Sequence, residues 1–346
     1  MVAQCNQSSP RHPVEAKLSY YIWAYKTHLI YGDELLNVLT ILILFRGKCC
    51  LSKCINRYLL GMAMADLLVI ITDPILRGIF PRYFPGSFMD ITPVCSLNNF
   101  LVFAATTVSV WLTVVFTFDR FVAICCGKLK TKYCTPKTAA VVLATVTVLC
   151  SLECTPWYFT SEPVFIIDNV PWYCTRKSSF INSPAWAAYE LFHRILSPCV
   201  PFILICILNL LTVRCILVTS RVRRGLQSLS SGENRKDPEM DQRRKAIILL
   251  FSITGSFLML WVTQVVMTAY QRITEQYVFR ATDPLYITES TAMMLQLLST
   301  CTNTCIYAVT QAKFREEFKN LLIYPFKLLV RLLKYFSEKM DFKNEK

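Results

Sequence analysis

Asp119 and Arg120 stand side by side at the end of a stretch, Ile91 to Phe118, that carries no formal charge. A carboxylate beside a guanidinium holds an ion pair that a helix movement or a partner can open. Arg120 keeps its charge in any protein setting, so a span that takes it out of water must supply an anion. Asp66 is a second candidate, in a run from Tyr58 to Leu76 that is apolar apart from Asp66 and Asp73. A carboxylate in mid-span needs a cation or a proton. Ser109, Ser299, Asn303 and Asn37 are oxygen or amide groups suited to surround it.

Long apolar helices must position these groups. Only 17% of the 346 residues are charged and 54% are hydrophobic, against about 25% charged in average soluble domains. At ~1.5 Å per residue, Ile91 to Phe118 more than crosses a hydrocarbon core of roughly 30 Å. Uncharged runs from Ile195 to Val213, Ala246 to Tyr270 and Ser290 to Gln311 are long enough as well. Thr138 to Leu152 is extended past Glu153 to Ser161, and Tyr58 to Leu76 makes six spans. Tyr20 to Phe45 is the seventh and weakest, because Lys26, His28, Asp33 and Glu34 fall inside it. These two acids at membrane depth are the strangest feature of the chain.

The charge pattern gives the orientation. Segments 46–58, 121–137, 214–245 and 310–346 hold 26 of the 37 Lys and Arg residues. They alternate with loops poor in both, which predicts a cytoplasmic C-terminus and an outside N-terminus. The net charge of +14 is split among loops rather than gathered on one face, which argues against nucleic acid as a partner. The first 19 residues lack an apolar core, so the first span is expected to act as an uncleaved anchor. Asn6 opens a glycosylation sequon in the outside tail. Most of the 16 cysteines fall in spans or on the reducing side. The topology leaves Cys5, Cys95 and Cys174 outside, with Cys154 near the outer end of its span. Cys95 and Cys174 can staple the second outer loop to the head of the third span, and Cys5 is then left over.

From about residue 20 to 323 the chain resembles the rhodopsin-like (class A) G-protein-coupled receptors. Asn37, Leu59-Leu60-Gly61-Met62-Ala63-Met64-Ala65-Asp66-Leu67, Cys95, Asp119-Arg120, Pro201 with Asn209, Phe257 with Trp261, Asn303-Thr304-Cys305-Ile306-Tyr307 and Lys313-Phe314-Arg315 match its motifs in order. Residues Ala308 to Glu317 look most like an orphan-type branch that responds to aromatic amino acids and lies near neuropeptide receptors. The resemblance implies an all-α membrane protein, a seven-helix bundle with a short amphipathic eighth helix. Residues 1–19 form the extracellular tail and 20–311 the bundle, with a third inner loop at about 219–241. Residues 312–346 form the amphipathic helix and cytoplasmic tail. The resemblance also implies a plasma-membrane location, no enzymatic step, no cofactor beyond a sodium ion, and heterotrimeric G protein as partner.

Residue roles follow by the same resemblance. Asp119, Arg120, Asn209, Asn303 and Tyr307 serve coupling, while Val110, Pro201, Phe257 and Trp261 form a packing switch. Asp66, Ser109, Ser299 and Asn303 hold the sodium. The chain departs from the pattern at Phe121, Thr304 and Thr263, where Tyr and two prolines are usual. The fourth span has no tryptophan, and Asn209 stands where a switch tyrosine is common. Arg243 takes the place of the acid that locks the third span to the sixth. These departures keep open a receptor-fold protein that binds partners without coupling. A seven-span transporter would show inverted repeats, and no such symmetry is visible.

Val102 occupies the place of the acid that anchors amines, and Ser290 to Gln311 lacks the lysine needed for light sensing. Arg77, Asn98, Asn99, Glu190, His193, Arg194, Gln264, Arg272, Glu289 and Gln296 are expected near the outer cavity. Their mixed charge suits a zwitterion or the end of a peptide, with His193 or Arg194 meeting a carboxylate and Glu289 an ammonium. Membrane lipids are expected along Phe314, Phe318, Leu321 and Leu322 of the eighth helix. Arrestin would depend on Ser228, Ser230 and Ser231 more than on Ser337, the one serine of the tail.

Overall fold

The computed structural model describes residues 34–47, 51–227, 238–274 and 284–344. Asn6, Cys5, Asp33 and the serines at 228, 230 and 231 lie outside them, as do the side chains of Arg243, Arg272 and Ser337. Six expected spans are helical, and the described part of the first, 34–46, is helical too. Among the described residues, five helices are long and apolar enough to cross a membrane: Lys53–Tyr83, Thr92–Cys125, Pro136–Thr160, Pro184–Thr219 and Ile247–Gln271. Their outward faces carry exposed Val148, Leu152, Ile203, Leu210 and Met259. A bundle with apolar residues outside and polar ones inside is built for lipid rather than water.

Local chemistry sets the helix ends. Ser52 caps the second span by accepting from the Ile55 amide at 3.3 Å. Thr135 does the same for Thr138 at 3.1 Å ahead of the fourth span, with Pro136 at its first position. The third span, Thr92–Cys125, touches the second, fourth, fifth and sixth and forms the axis of the bundle. Where the second and fourth approach, a side chain at Gly61 would begin 3.0 Å from Leu143. Small residues permit such close helix contacts in membranes.

Two spans widen into π-helical turns, Ile71–Ile79 around Pro74 and Ile195–Cys199 around Pro198. Proline removes a backbone donor and crowds the preceding turn, and an inserted residue relieves both. The sixth and seventh spans lack the family prolines and run unbroken, Pro238–Thr274 and Pro284–Thr310. Thr304 instead ties the seventh span to the first, 2.7 Å from the Thr40 hydroxyl. The fifth and sixth helices extend into the expected third inner loop, reaching Gln227 and starting at Pro238.

The eighth helix, Ala312–Asn344, is far longer than the short element expected. Phe314, Phe318 and Leu321 turn toward the bundle, with Phe314 edge-on to Tyr307 at 5.7 Å. The bundle therefore takes these three residues, while Leu322, Ile323 and Phe326 are exposed.

The loop between the fourth and fifth spans folds into β-pairs, Phe165–Ile167 with Val170–Trp172 and Ser161–Glu162 with Thr175–Arg176. Asp168 and Asn169 both take positive φ at the hairpin tip, as a type I′ turn requires. Cys95 and Cys174 are joined by a disulfide with a Cα separation of 6.3 Å. Tyr173 supports the junction by donating its amide to the Asp90 carbonyl at 2.6 Å. Replacing Cys95 or Cys174 by alanine is expected to cut surface delivery, since losing such a bond costs about 2–5 kcal/mol. Surface labelling measures the loss, and non-reduced peptide mapping must find the linked pair in the parent. Undiminished delivery of both variants contradicts the expectation.

Candidate functional site

At the Arg120 end, Asp119 is fully buried and Arg120 only 6% exposed. Arg120 Nε donates to Asp119 Oδ2 at 3.0 Å, and Nη2 bonds the same oxygen. Two thiols that sequence reasoning missed complete the setting. Cys54 Sγ lies 3.4 Å from Asp119 Oδ1, and Cys134 Sγ 3.7 Å from the Asp119 carbonyl. Burial and the Asp119 carboxylate push the Cys134 thiol up to about 11, so it stays protonated and can donate. Asn209 bridges the fifth and sixth spans through the Thr254 hydroxyl at 2.8 Å. Tyr307 is buried, and its hydroxyl has no partner among the described residues.

In the middle of the bundle, Asp66 receives the Ser109 hydroxyl at 2.5 Å and the Asn303 amide at 2.9 Å. These groups line a chamber of ≈ 10 Å³ with Ser299, Thr302 and Trp261, enough for one water-sized occupant. Ser299 borders the chamber but is engaged elsewhere, accepting from Trp261 Nε1 at 3.0 Å. Asn37 donates to the Thr300 carbonyl at 3.2 Å. Phe257 stacks on Trp261 with centroids 5.3 Å apart, and both pack with Val110, Val114 and Ile205. Pro201 is buried one residue into the helical stretch Val200–Gln227, outside that cluster.

Toward the Cys95 end lies a cavity of ≈ 440 Å³, a volume suited to a small ligand. Its polar walls come from Asp73, Arg77, Thr106, Thr107, His193, Ser197, Gln264 and Gln296, with Val102 and Phe103 among the apolar ones. The two π-helical turns supply Asp73, Arg77 and Ser197, and turns of this type concentrate at functional sites. Arg77 and Asp73 face each other at 3.4 Å, both well exposed. Gln264 Oε1 is buried with no hydrogen-bond partner among the described residues and can accept from a ligand.

Of the expected residues whose side chains are described, only Arg77, His193, Gln264 and Gln296 reach this cavity. Asn98 spends its amide on the Thr72 carbonyl at 3.1 Å, and Asn99 on the Ser161 hydroxyl at 3.2 Å. Arg194 is held by Glu190 at 2.7 Å, one helical turn away. Glu289 lies outside the lining, one turn before Met293, which is part of it. Asp73 was visible in the sequence as the second acid of its span but was given no role. Glu153 was passed over as an interruption of the fourth span. It bonds His193 Nδ1 at 3.0 Å, so that imidazole is already paired.

The comparisons with known proteins agree with this arrangement. A family model described as "7 transmembrane receptor (rhodopsin family)" matches residues 36–307. Three receptors of Drosophila melanogaster are similar to the chain. The Tachykinin-like peptides receptor 86C is 23% identical over 75% of this chain and 51% of its own length. The FMRFamide receptor is 24% identical over 83% and 51%, and the Sex peptide receptor 23% over 82% and 68%. The chain spans about half the length of the first two of these relatives. With the family model matched over residues 36–307, and a buried Asp-Arg pair and a disulfide from the third span to the loop between the fourth and fifth in place, the chain belongs to the rhodopsin family of seven-transmembrane receptors.

Proposed function

We propose that this receptor sits in the plasma membrane, N-terminus outside, and turns binding of a peptide or amino-acid-like ligand into activation of a heterotrimeric G protein. The observation that carries the reading is one line of sites along the third span. Val102, Phe103, Thr106 and Thr107 line the cavity, Ser109 and Thr113 the Asp66 chamber, and Asp119-Arg120 ends the line. Ligand at one end and partner at the other thus act on a single helix. The names of the three relatives each refer to a peptide, which favours that ligand class over a monoamine. Val102 and the Asp73–Arg77 pair favour it too.

The test is a panel of G-protein dissociation assays in cells expressing the full chain, first without ligand and then with short peptides, aromatic amino acids, monoamines and lysolipids. Activation by a peptide or amino acid supports the reading. Activation by monoamine or lipid alone removes the ligand class. Silence across every G protein, with receptor at the surface, favours a binding protein that does not couple.

The Asp66 chamber is the place we assign to sodium, with Asp66 and Ser109 as oxygen donors and Ser299 and Asn303 beside them in the lining. An ion that prefers the resting state must weaken agonist binding by its differential affinity. Replacing sodium by a bulky organic cation is expected to raise agonist affinity roughly fivefold or more in the parent. Asp66→Asn should abolish that difference in competition binding. Equal shifts in both proteins count against the assignment.

A further inference from the structure

The fourth span ends on Glu153-Cys154, and the fifth brings His193 against both. Glu153 Oε1 lies 3.0 Å from His193 Nδ1, and Glu153 Oε2 lies 3.2 Å from Cys154 Sγ. The three donor atoms all fall within 4.8 Å of one another. Cys154 is fully buried and His193 6% exposed. Nothing in the coupling line along the third span uses them. A half-buried carboxylate beside a buried thiol and a buried imidazole is an expensive arrangement to keep without a function.

We propose that Glu153, Cys154 and His193 form a binding site for a zinc ion at the wall of the ligand cavity. Thiolate, imidazole and carboxylate are the ligand types zinc takes, whereas magnesium and calcium select oxygen alone. Tetrahedral zinc with bonds of 2.0–2.3 Å separates its ligands by roughly 3.3–3.7 Å. The present spacings approach that geometry, so small side-chain movements make room. On binding, the Cys154 thiol gives its proton to water as the sulfur–zinc bond forms. The proton that His193 Nδ1 shares with the Glu153 carboxylate leaves that nitrogen, passing through water to Nε2, so His193 contributes the freed Nδ1 lone pair and Glu153 one carboxylate oxygen. The two anionic ligands then balance the ion's double charge, and a fourth position stays open to water or to a ligand group.

Neighbouring groups fix these three in place, as the surroundings of metal ligands do. Tyr189 Oη donates to the Glu153 carbonyl at 3.0 Å. The His193 ring lies edge-on to Phe103 at 5.4 Å and to Trp157 at 5.3 Å. Thr107 Oγ1 lies 3.7 Å from Cys154 Sγ. Thr107 and His193 also line the cavity, which gives the ion a path inward and places it next to any bound ligand. Zinc would therefore change ligand affinity, and ligand would change zinc affinity by the same factor. The site does not depend on the proposed ligand or on G-protein coupling.

Cobalt(II), a spectroscopic stand-in for zinc, tests the site in purified full-length protein in detergent. The parent is expected to show a thiolate-to-cobalt absorption band that saturates at one equivalent and that zinc displaces. Cys154→Ser should remove the band, and Glu153→Gln and His193→Gln should weaken cobalt binding about tenfold or more. Glu153→Gln retains a hydrogen-bonding side chain beside His193 and tests the site even where Cys154→Ser fails to fold. Thermal unfolding checks that each variant is native, and zinc should raise the midpoint of the parent alone. No band in the parent, or a band unchanged in Glu153→Gln and His193→Gln, overturns the proposal.

Discussion

Arg120→Ala is expected to reach the cell surface in near-parental amounts and to lose agonist-driven G-protein activation almost entirely. Arg120 is 6% exposed and is held by Asp119 alone among the described acids. Removing the cation leaves the Asp119 carboxylate the Cys54 thiol as a donor, and a buried carboxylate without a cation takes up a proton, so the fold is not left with an unpaired charge. The partner, by contrast, loses the one permanent charge that opening the inner helix ends would deliver to it. A fall of roughly a hundredfold in activation, the equivalent of about 2.8 kcal/mol, is the expected scale. Asp119→Asn should move the other way and raise signalling without ligand, because it weakens the restraint on Arg120. A dissociation assay normalised to surface receptor reads both variants. Parental activation by Arg120→Ala would sever Arg120 from coupling.

The sequence made the axis of the molecule legible, because burying Arg120 in an uncharged span leaves few physical solutions. Asp66, Ser109 and Asn303 were legible for the same reason: a lone acid in an apolar helix has to collect donors. The ligand cavity was much less so. Residue type shows which side chains are polar, but not how each spends its hydrogen bonds. Arg194 and Asn99 have the right chemistry and are used locally, by Glu190 and by the outer loop. Pro74 and Pro198 were the overlooked signal, since a proline inside an apolar span forecasts a widened turn. Asp168-Asn169 between two apolar runs likewise marked the hairpin between the fourth and fifth spans. The pairing of Glu153 with His193 joins different spans, and no local pattern announces it.

Ligand potency should depend on the second span more than on the fifth. Arg77 and Asp73 are the charged pair that reaches the cavity, and their half-exposed side chains are open to exchange partners. A ligand carboxylate can displace Asp73 from the guanidinium in a two-pronged contact, leaving Asp73 to meet an ammonium. Arg77→Ala is therefore expected to weaken the active peptide or amino acid at least about tenfold, or about 1.4 kcal/mol. Arg77→Lys should recover only part of that loss, because an ammonium cannot reproduce the planar fork. Arg194→Ala and Glu289→Ala should stay near the parent, since neither side chain lines the cavity and Glu190 already holds Arg194. Concentration–response curves for the four variants, normalised to surface receptor, decide between the two walls. A loss at Arg194 or Glu289 larger than that at Arg77 would move the charged end of the ligand to the fifth and seventh spans.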